Sequence, residues 1–218
     1  MHALYVFDAY GTLFDVHAAV RRHAAAVGPD ADRLSALWRQ KQLEYSWVRA
    51  LAGQYRDFWA LTEDALDFAF DKTPSAARES RADLLSAYRT LDAYPEVIDV
   101  LTTLRAAGAK TAILSNGSPD MLTAAVDGAG IAALLDAVIS VDELRVFKPL
   151  PAVYELVTNE FRLFPDAVSF QSSNRWDIAG AAAFGFRTVW INRAGEPDEY
   201  RDLAPAVTLR SLTGLEAA

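Results

Sequence analysis

The sequence contains no cysteine, which excludes a disulfide, a thiolate nucleophile and a cysteine-ligated metal. Histidine is almost as scarce. His2, His17 and His23 are all there is, and none sits in the polar motifs described below, so a Ser-His or Cys-His nucleophilic system is not expected. No apolar run approaches the roughly 18 residues of a membrane span. Met1-His2 leads straight into a short apolar run with no basic region or cleavage site, so the expectation is a soluble, cytoplasmic protein with no membrane partner.

Cations are in deficit too: 21 Lys and Arg stand against 29 Asp and Glu, a net charge of −8, which argues against a nucleic-acid or acidic-membrane partner. The deficit is uneven. Residues 16–92 carry 11 cations and 11 acids, whereas the remainder carries 10 against 18 and with them the whole imbalance. An anionic substrate is therefore repelled by the larger part of the chain, and a few local cations must hold it.

What is present is an ordinary globular composition, 52% hydrophobic and 23% charged over 218 residues, enough for one sizeable core with a small insert. The chain is organised around Leu4-Tyr5-Val6-Phe7-Asp8-Ala9-Tyr10-Gly11-Thr12-Leu13-Phe14-Asp15. Leu4 to Phe7 reads as a buried strand that stops at a carboxylate. Asp8 then lies at a strand's carboxyl end, where open α/β sheets bind ligands, and Gly11 allows the tight turn that brings main-chain N–H groups toward an anion. These residues alone fit either a nucleophile or an Asp that starts a turn.

Residues 16–92 read almost entirely as helix, with apolar residues at three- and four-residue spacing and breaks at Gly28-Pro29, Gly53 and Thr73-Pro74. From Tyr94-Pro95 helices and strands alternate. Pro95, Pro119 and Pro149 suit helix starts, Gly108 a helix stop, and Thr111–Leu114, Ala137–Ser140, Ala167–Phe170, Thr188–Ile191 and Ala206–Leu209 suit strands. Such alternation predicts an α/β fold with a doubly wound, Rossmann-like parallel sheet.

Four strand ends finish in polar residues: Asp8 and Thr12; Ser115-Asn116-Gly117-Ser118; Phe147-Lys148-Pro149; and Ser172-Ser173-Asn174-Arg175-Trp176-Asp177. A parallel sheet gathers these ends on one edge, so that a nucleophile, hydroxyls, an amide, a cation and a second carboxylate can meet. Taken singly, Ser-Asn reads equally as a turn and Lys-Pro as a solvated helix start. With no suitable histidine, the base for a hydrolytic step falls to a carboxylate, and Asp177 is the best placed.

In this order the four motifs resemble those of the haloacid dehalogenase superfamily across nearly the whole core. That superfamily's phosphatases read Asp-x-Asp at the first motif. Here the second position is Tyr10, and a phenol cannot replace the carboxylic acid that protonates a leaving alcohol. Asp8-Ala9-Tyr10-Gly11-Thr12 and Ser172-Ser173-Asn174-Arg175-Trp176-Asp177 are similar to the forms found in the L-2-haloacid dehalogenases, which release halide. The resemblance implies a core of residues 1–15 and 93–218 with an inserted helical cap domain, 16–92. It also implies Asp8 as nucleophile, Thr12 and Ser115 as hydroxyl contacts, Lys148 as the cation that keeps Asp8 ionised, and Tyr154 as an active-site tyrosine. Ser172, Asn174 and Asp177 match the cluster that positions Lys148 and the hydrolytic water.

Arg39-Gln40-Lys41-Gln42-Leu43-Glu44-Tyr45 resembles the dehalogenase cap helix, which implies Arg39, with Asn116 and Trp176, as the halide cradle. Tyr10, Gln40, Leu43 and Phe58 match the pocket around the substrate's alkyl group. Arg39 equally reads as a solvated helix charge, and Phe58 or Trp176 as core aromatics. With Tyr10 and Asn174 where a magnesium site needs acids, neither metal nor cofactor is expected. The implied reaction turns a short (S)-2-haloacid into the (R)-2-hydroxy acid and halide through an aspartyl ester, in a homodimer. A phosphatase and a catalytically silent binding protein on the same fold are the rival readings. Gln171 departs from the pattern, standing where an apolar residue is usual.

Overall fold

The computed structural model describes residues 2–215. Strand β1 (Leu4–Phe7) is followed by helices α1 (Ala18–Arg22), α2 (Ala24–Val27), α3 (Ala31–Ala52), α4 (Phe58–Lys72), α5 (Arg81–Arg89) and α6 (Val97–Ala106). Strands and helices then alternate: β2 (Lys110–Ser115), α7 (Pro119–Gly128), β3 (Ala137–Ser140), α8 (Pro151–Phe161), β4 (Val168–Ser172), α9 (Arg175–Phe184), β5 (Arg187–Ile191) and β6 (Val207–Leu209). Among the described residues no helix is long and apolar enough to cross a membrane.

The six strands form one parallel sheet in the order β3-β2-β1-β4-β5-β6. β1 is wholly buried, as its unbroken apolar run requires of a strand covered on both faces. It pairs with β2 on one side and β4 on the other, so the strand order reverses there and leaves a crevice beyond the strand ends. Phe7 is in register with Ile113 and with Gln171, which sets the next residue, Asp8, level with the ends of both neighbours. The Asp8 amide still donates to the Gln171 carbonyl at 2.9 Å.

Two expected helix starts lie elsewhere. Pro95 stands in a turn ahead of α6, where the preceding Tyr94 N–H is drawn away to donate to the Leu13 carbonyl at 2.9 Å. Pro149 likewise precedes α8: the Lys148 amide donates to Asn116 Oδ1 at 2.9 Å, and Pro151 takes the first helical position instead. β4 also starts one residue later than expected and runs two further, to Ser172.

Residues 16–92 contain helices and turns but no strand. α3 and α4 pack as a hairpin. Gly53, at φ +63°, stops α3 in the left-handed conformation that glycine adopts cheaply. The Asp57 carboxylate then caps α4 by accepting from the Ala60 amide at 2.9 Å.

Candidate active site

At the end of β1 Asp8 is only 6% exposed. Its Oδ2 accepts from Thr12 Oγ1 at 3.0 Å and Asn174 Nδ2 at 2.8 Å, and its Oδ1 from Lys148 Nζ at 3.1 Å. Thr12 can turn back to Asp8 because Gly11 takes a φ of +95°. The Thr12 oxygen in turn accepts from the Ser173 amide at 2.8 Å, which ties the β1 loop to the β4 loop. Ser172 Oγ accepts from the Asn174 amide at 3.1 Å, and Ser115 Oγ from the Gly117 amide at 3.1 Å, so both hydroxyls shape turns.

Lys148, 1% exposed, bridges two carboxylates: besides Asp8 it donates to Asp177 Oδ2 at 2.9 Å. Burial alone drives an ammonium toward its neutral form, but Asp177 and Asp8 outweigh it and hold the Lys148 pKa above the ordinary lysine value. Asp177 is fully buried and accepts from the Tyr154 hydroxyl at 2.8 Å on Oδ1. Its burial raises the carboxyl pKa, against the opposing pull of Lys148 and the Tyr154 hydrogen bond. Burial also pushes the Tyr154 phenol well above its usual range, so it stays a donor.

Tyr154 reaches Asp177 across a tight helix contact at Gly180. A Cβ there would stand 2.5 Å from the Pro149 ring and 2.6 Å from the Tyr154 oxygen. A second close approach is Gly117, where a Cβ would lie 2.8 Å from the Tyr10 ring.

The opposite wall comes from α3 and α4. Arg39 Nη2 donates to the Tyr10 carbonyl at 3.0 Å and, more weakly, to Asn174 Oδ1 at 3.4 Å, while Nη1 donates to Gln42 Oε1 at 2.8 Å. Tyr10 stacks on Tyr88 with centroids 5.8 Å apart, and Phe58 lies 6.3 Å from Tyr10. Asp8, Tyr10, Arg39, Leu43, Phe58, Ser115, Asn116, Asn174 and Trp176 together line a small cavity with ≈ 10 Å³ of water-accessible space. That is room for about one water molecule.

Of the residues expected at the site, Gln40 is the one that the structure places elsewhere. It is exposed and does not line the cavity. Each residue turns a helix by about 100°, so Arg39 and Leu43 share the cavity face while Gln40 faces away from the buried stripe Leu34, Trp38, Gln42 and Ser46. Thr12, Lys148, Tyr154, Ser172 and Asp177 stand behind the cavity wall, joined to Asp8 and Asn174 by the hydrogen bonds above. Gln42, Thr62, Tyr88 and Gly180 were missed. Gln42 had a signal, an amide at four-residue spacing from the apolar Leu34 and Trp38. Gln171 also gains an account, for its Nε2 donates to Ser169 Oγ at 2.6 Å, two residues back on the same strand face, although its Oε1 has no partner among the described residues.

Residues 2–185 match the haloacid dehalogenase-like hydrolase family. The chain is 50% identical to (S)-2-haloacid dehalogenase 1 of Pseudomonas sp. strain CBS-3 over 211 residues, covering 96% of this chain and 93% of that one. It is 46% identical to the solved structure of a dehalogenase with an intermediate complex, with a TM-score of 0.97 over 99% of this chain and 96% of that one. The L-2-haloacid dehalogenase of Xanthobacter autotrophicus, solved with chloropropionic acid covalently bound, superposes with a TM-score of 0.87 at 38% identity, covering 100% of this chain and 98% of that one. The chain belongs to the haloacid dehalogenase-like hydrolases and, among them, to the (S)-2-haloacid dehalogenase family.

Proposed function

We propose that this protein is a hydrolytic (S)-2-haloacid dehalogenase that works through an ester on Asp8. The observation that carries the reading is the Asp8 carboxylate, paired with Lys148, aimed by Thr12 and Asn174, and facing Arg39 across a small cavity. An Asp8 oxygen attacks the α-carbon from the side opposite the halogen, the carbon–halogen bond breaks with inversion, and the halide departs with its electron pair toward Arg39, Asn116 and Trp176. Backbone N–H groups near Tyr10, with Ser115, hold the substrate carboxylate. Tyr10, Leu43 and Phe58 enclose the alkyl group.

In the second step water gives a proton to the Asp177 carboxylate and attacks the ester's carbonyl carbon. The bond from that carbon to the α-oxygen breaks, the departing oxygen takes the proton held by Asp177, and the proton left on the Asp8 carboxyl passes to solvent, which restores both carboxylates. Asp177 already accepts from Lys148 and Tyr154, but a carboxylate offers about four lone-pair sites. A raised pKa brings this base nearer the working pH. No metal is required: Lys148 already places a positive charge between the two carboxylates.

The same reading makes residues 16–92 a cap domain over a core of 1–15 and 93–218, in a cytoplasmic homodimer with no nucleic-acid or membrane partner. The cap must move, since a haloacid needs far more space than one water. Light scattering that showed a monomer would remove the dimer. The oxygen bookkeeping tests the chemistry: in a single turnover with excess enzyme and heavy-oxygen water, the product hydroxyl is expected to be light and the label to appear in the peptide carrying Asp8. A heavy hydroxyl in the first turnover leaves Asp8 only the role of a base. Magnesium-dependent phosphate release in place of halide release would replace the reading with a phosphatase.

A further inference from the structure

Behind Arg39 lies a buried polar network that the reaction as written above does not use. Gln42 stands one turn along α3 and is 1% exposed, enclosed by α3, α4 and α5. Thr62, on α4, donates its hydroxyl proton to the Phe58 carbonyl at 2.7 Å, so the same oxygen accepts from Gln42 Nε2 at 2.7 Å. This fixes the amide. Its Oε1 must face the other way, where it accepts from Arg39 Nη1 at 2.8 Å and from the Tyr88 hydroxyl at 3.1 Å. Trp38 locks the far side by donating from Nε1 to the Thr62 carbonyl at 2.8 Å.

The chemistry of Arg39's partners is as informative as their positions. All three acceptors, Gln42 Oε1, the Tyr10 carbonyl and Asn174 Oδ1, are neutral. No carboxylate pairs with Arg39 among the described residues, so the guanidinium is oriented without being neutralised. Its charge is left whole for an anion in the cavity.

We propose that Gln42 is a positioning residue for halide departure, holding the Arg39 guanidinium against the cavity through a neutral acceptor that Thr62 and Tyr88 set in place. The proposal rests on the assignment of Arg39 as the halide contact. It explains why a costly buried amide stands beside Leu34 and Trp38 on the buried face of α3: an apolar residue there would remove the acceptor of Arg39 Nη1, and a carboxylate would neutralise the guanidinium.

The test is halide release in a single turnover, from (S)-2-bromopropionate and (S)-2-chloropropionate, by wild type, Arg39→Lys, Gln42→Glu and Gln42→Leu. A group that aims charge at the leaving atom matters more for the poorer leaving group. Chloride release by either Gln42 variant is expected to fall about 10-fold or more, with bromide release falling less and KM nearly unchanged. Arg39→Lys is expected to shift the bromide-to-chloride ratio the same way. Gln42→Leu can fail to fold, in which case Gln42→Glu, which keeps the shape, decides. If neither folds, Tyr88→Phe decides, by removing one donor on Oε1 and raising the ratio more modestly. An unchanged ratio in the deciding variant, whether rates are normal or lowered equally, overturns the Gln42 proposal. Normal rates and ratio in Arg39→Lys overturn instead the halide role of Arg39.

Discussion

The site is made of two buried polar networks that meet at Asp8, Tyr10 and Asn174, and they are built on opposite principles. The strand-edge network is charged: one ammonium bridges two carboxylates, and the backbone of a parallel sheet fixes its geometry. The network on the helical side holds a single charge, Arg39, and every partner it has is neutral. Side-chain packing between α3, α4 and α5 fixes that one. The difference follows the chemistry proposed for each half. A nucleophile needs its charge kept and aimed, which a paired cation does; a cradle for a leaving anion needs a cation whose charge is not already spent on a carboxylate.

The comparison breaks most completely at Lys148. Lys148→Met leaves Asp8 and Asp177 buried without their shared cation, and removing one partner of a buried pair costs about 3–5 kcal/mol. Halide release is expected to be lost. The Asp177 carboxyl, already raised by burial, would then hold its proton more tightly in the folded than in the unfolded state. With its folded pKa raised, the penalty is largest at neutral pH and shrinks as pH falls through that value. Thermal melts of wild type and variant at neutral and mildly acidic pH check this. A gap in melting temperature that stayed constant, or widened in acid, would mean that Lys148 does not neutralise this pair. In wild type the raised Lys148 pKa places the alkaline loss of activity above the ordinary lysine value of 10.5.

How much of each network the sequence discloses follows from how each is built. Asp8, Ser115, Asn174 and Asp177 are readable because apolar strands end abruptly and polarity begins at once, so the fold itself gathers them. Lys148 needs the family motif as well, since Lys-Pro alone suits any helix start. Gln42, Thr62 and Tyr88 are scattered over three helices with no motif, and only packing brings them together. Gln40 shows the same limit: neighbouring Arg39 along the chain, it is turned away around the helix. The prolines mislead for a related reason, because a fixed φ near −65° suits a turn as well as a first helical position, and Pro95 and Pro149 occupy turns.

A middle-sized effect sharpens the strand-edge half. In a helix interior Gly→Ala ordinarily gains about 0.5–1 kcal/mol. At Gly180 of α9 the sign is expected to reverse, because the new methyl meets the rigid Pro149 ring and the Tyr154 oxygen, an overpacking worth about 1–3 kcal/mol. Gly180→Ala should therefore melt lower than wild type. By displacing Tyr154 from Asp177 it should also slow ester hydrolysis more than halide release, so that the ester accumulates. A stabilised variant with an unchanged second step would show that the contact relaxes freely.

The smallest effect concerns the seam between the halves. The Tyr55 hydroxyl, in the loop between α3 and α4, donates to Asp142 beyond β3, and its ring stacks on Phe147 at 5.2 Å beneath the Arg145 guanidinium at 5.3 Å. Burial, with the Asp142 hydrogen bond adding to it, raises the phenol far above its usual pKa, so this donor keeps its proton at any pH where the enzyme works. Tyr55→Phe removes the hydrogen bond and keeps the stack. A hydrogen bond to a carboxylate contributes about 1.5–3 kcal/mol, toward the lower end for this partly buried pair, and the global melting temperature should move by only a few degrees. If the seam holds the helical segment closed over a cavity too small for substrate, its loosening appears in exchange instead. Amide hydrogens at the α3–α4 loop and around Trp47 and Trp176, which meet edge to face at 5.3 Å, should exchange faster, while those of β1 and β4 stay unchanged. Substrate association in stopped flow should quicken, and single-turnover halide release from bound substrate should not. Faster exchange across the whole sheet would mean that Tyr55 stabilises the fold at large rather than the closed state.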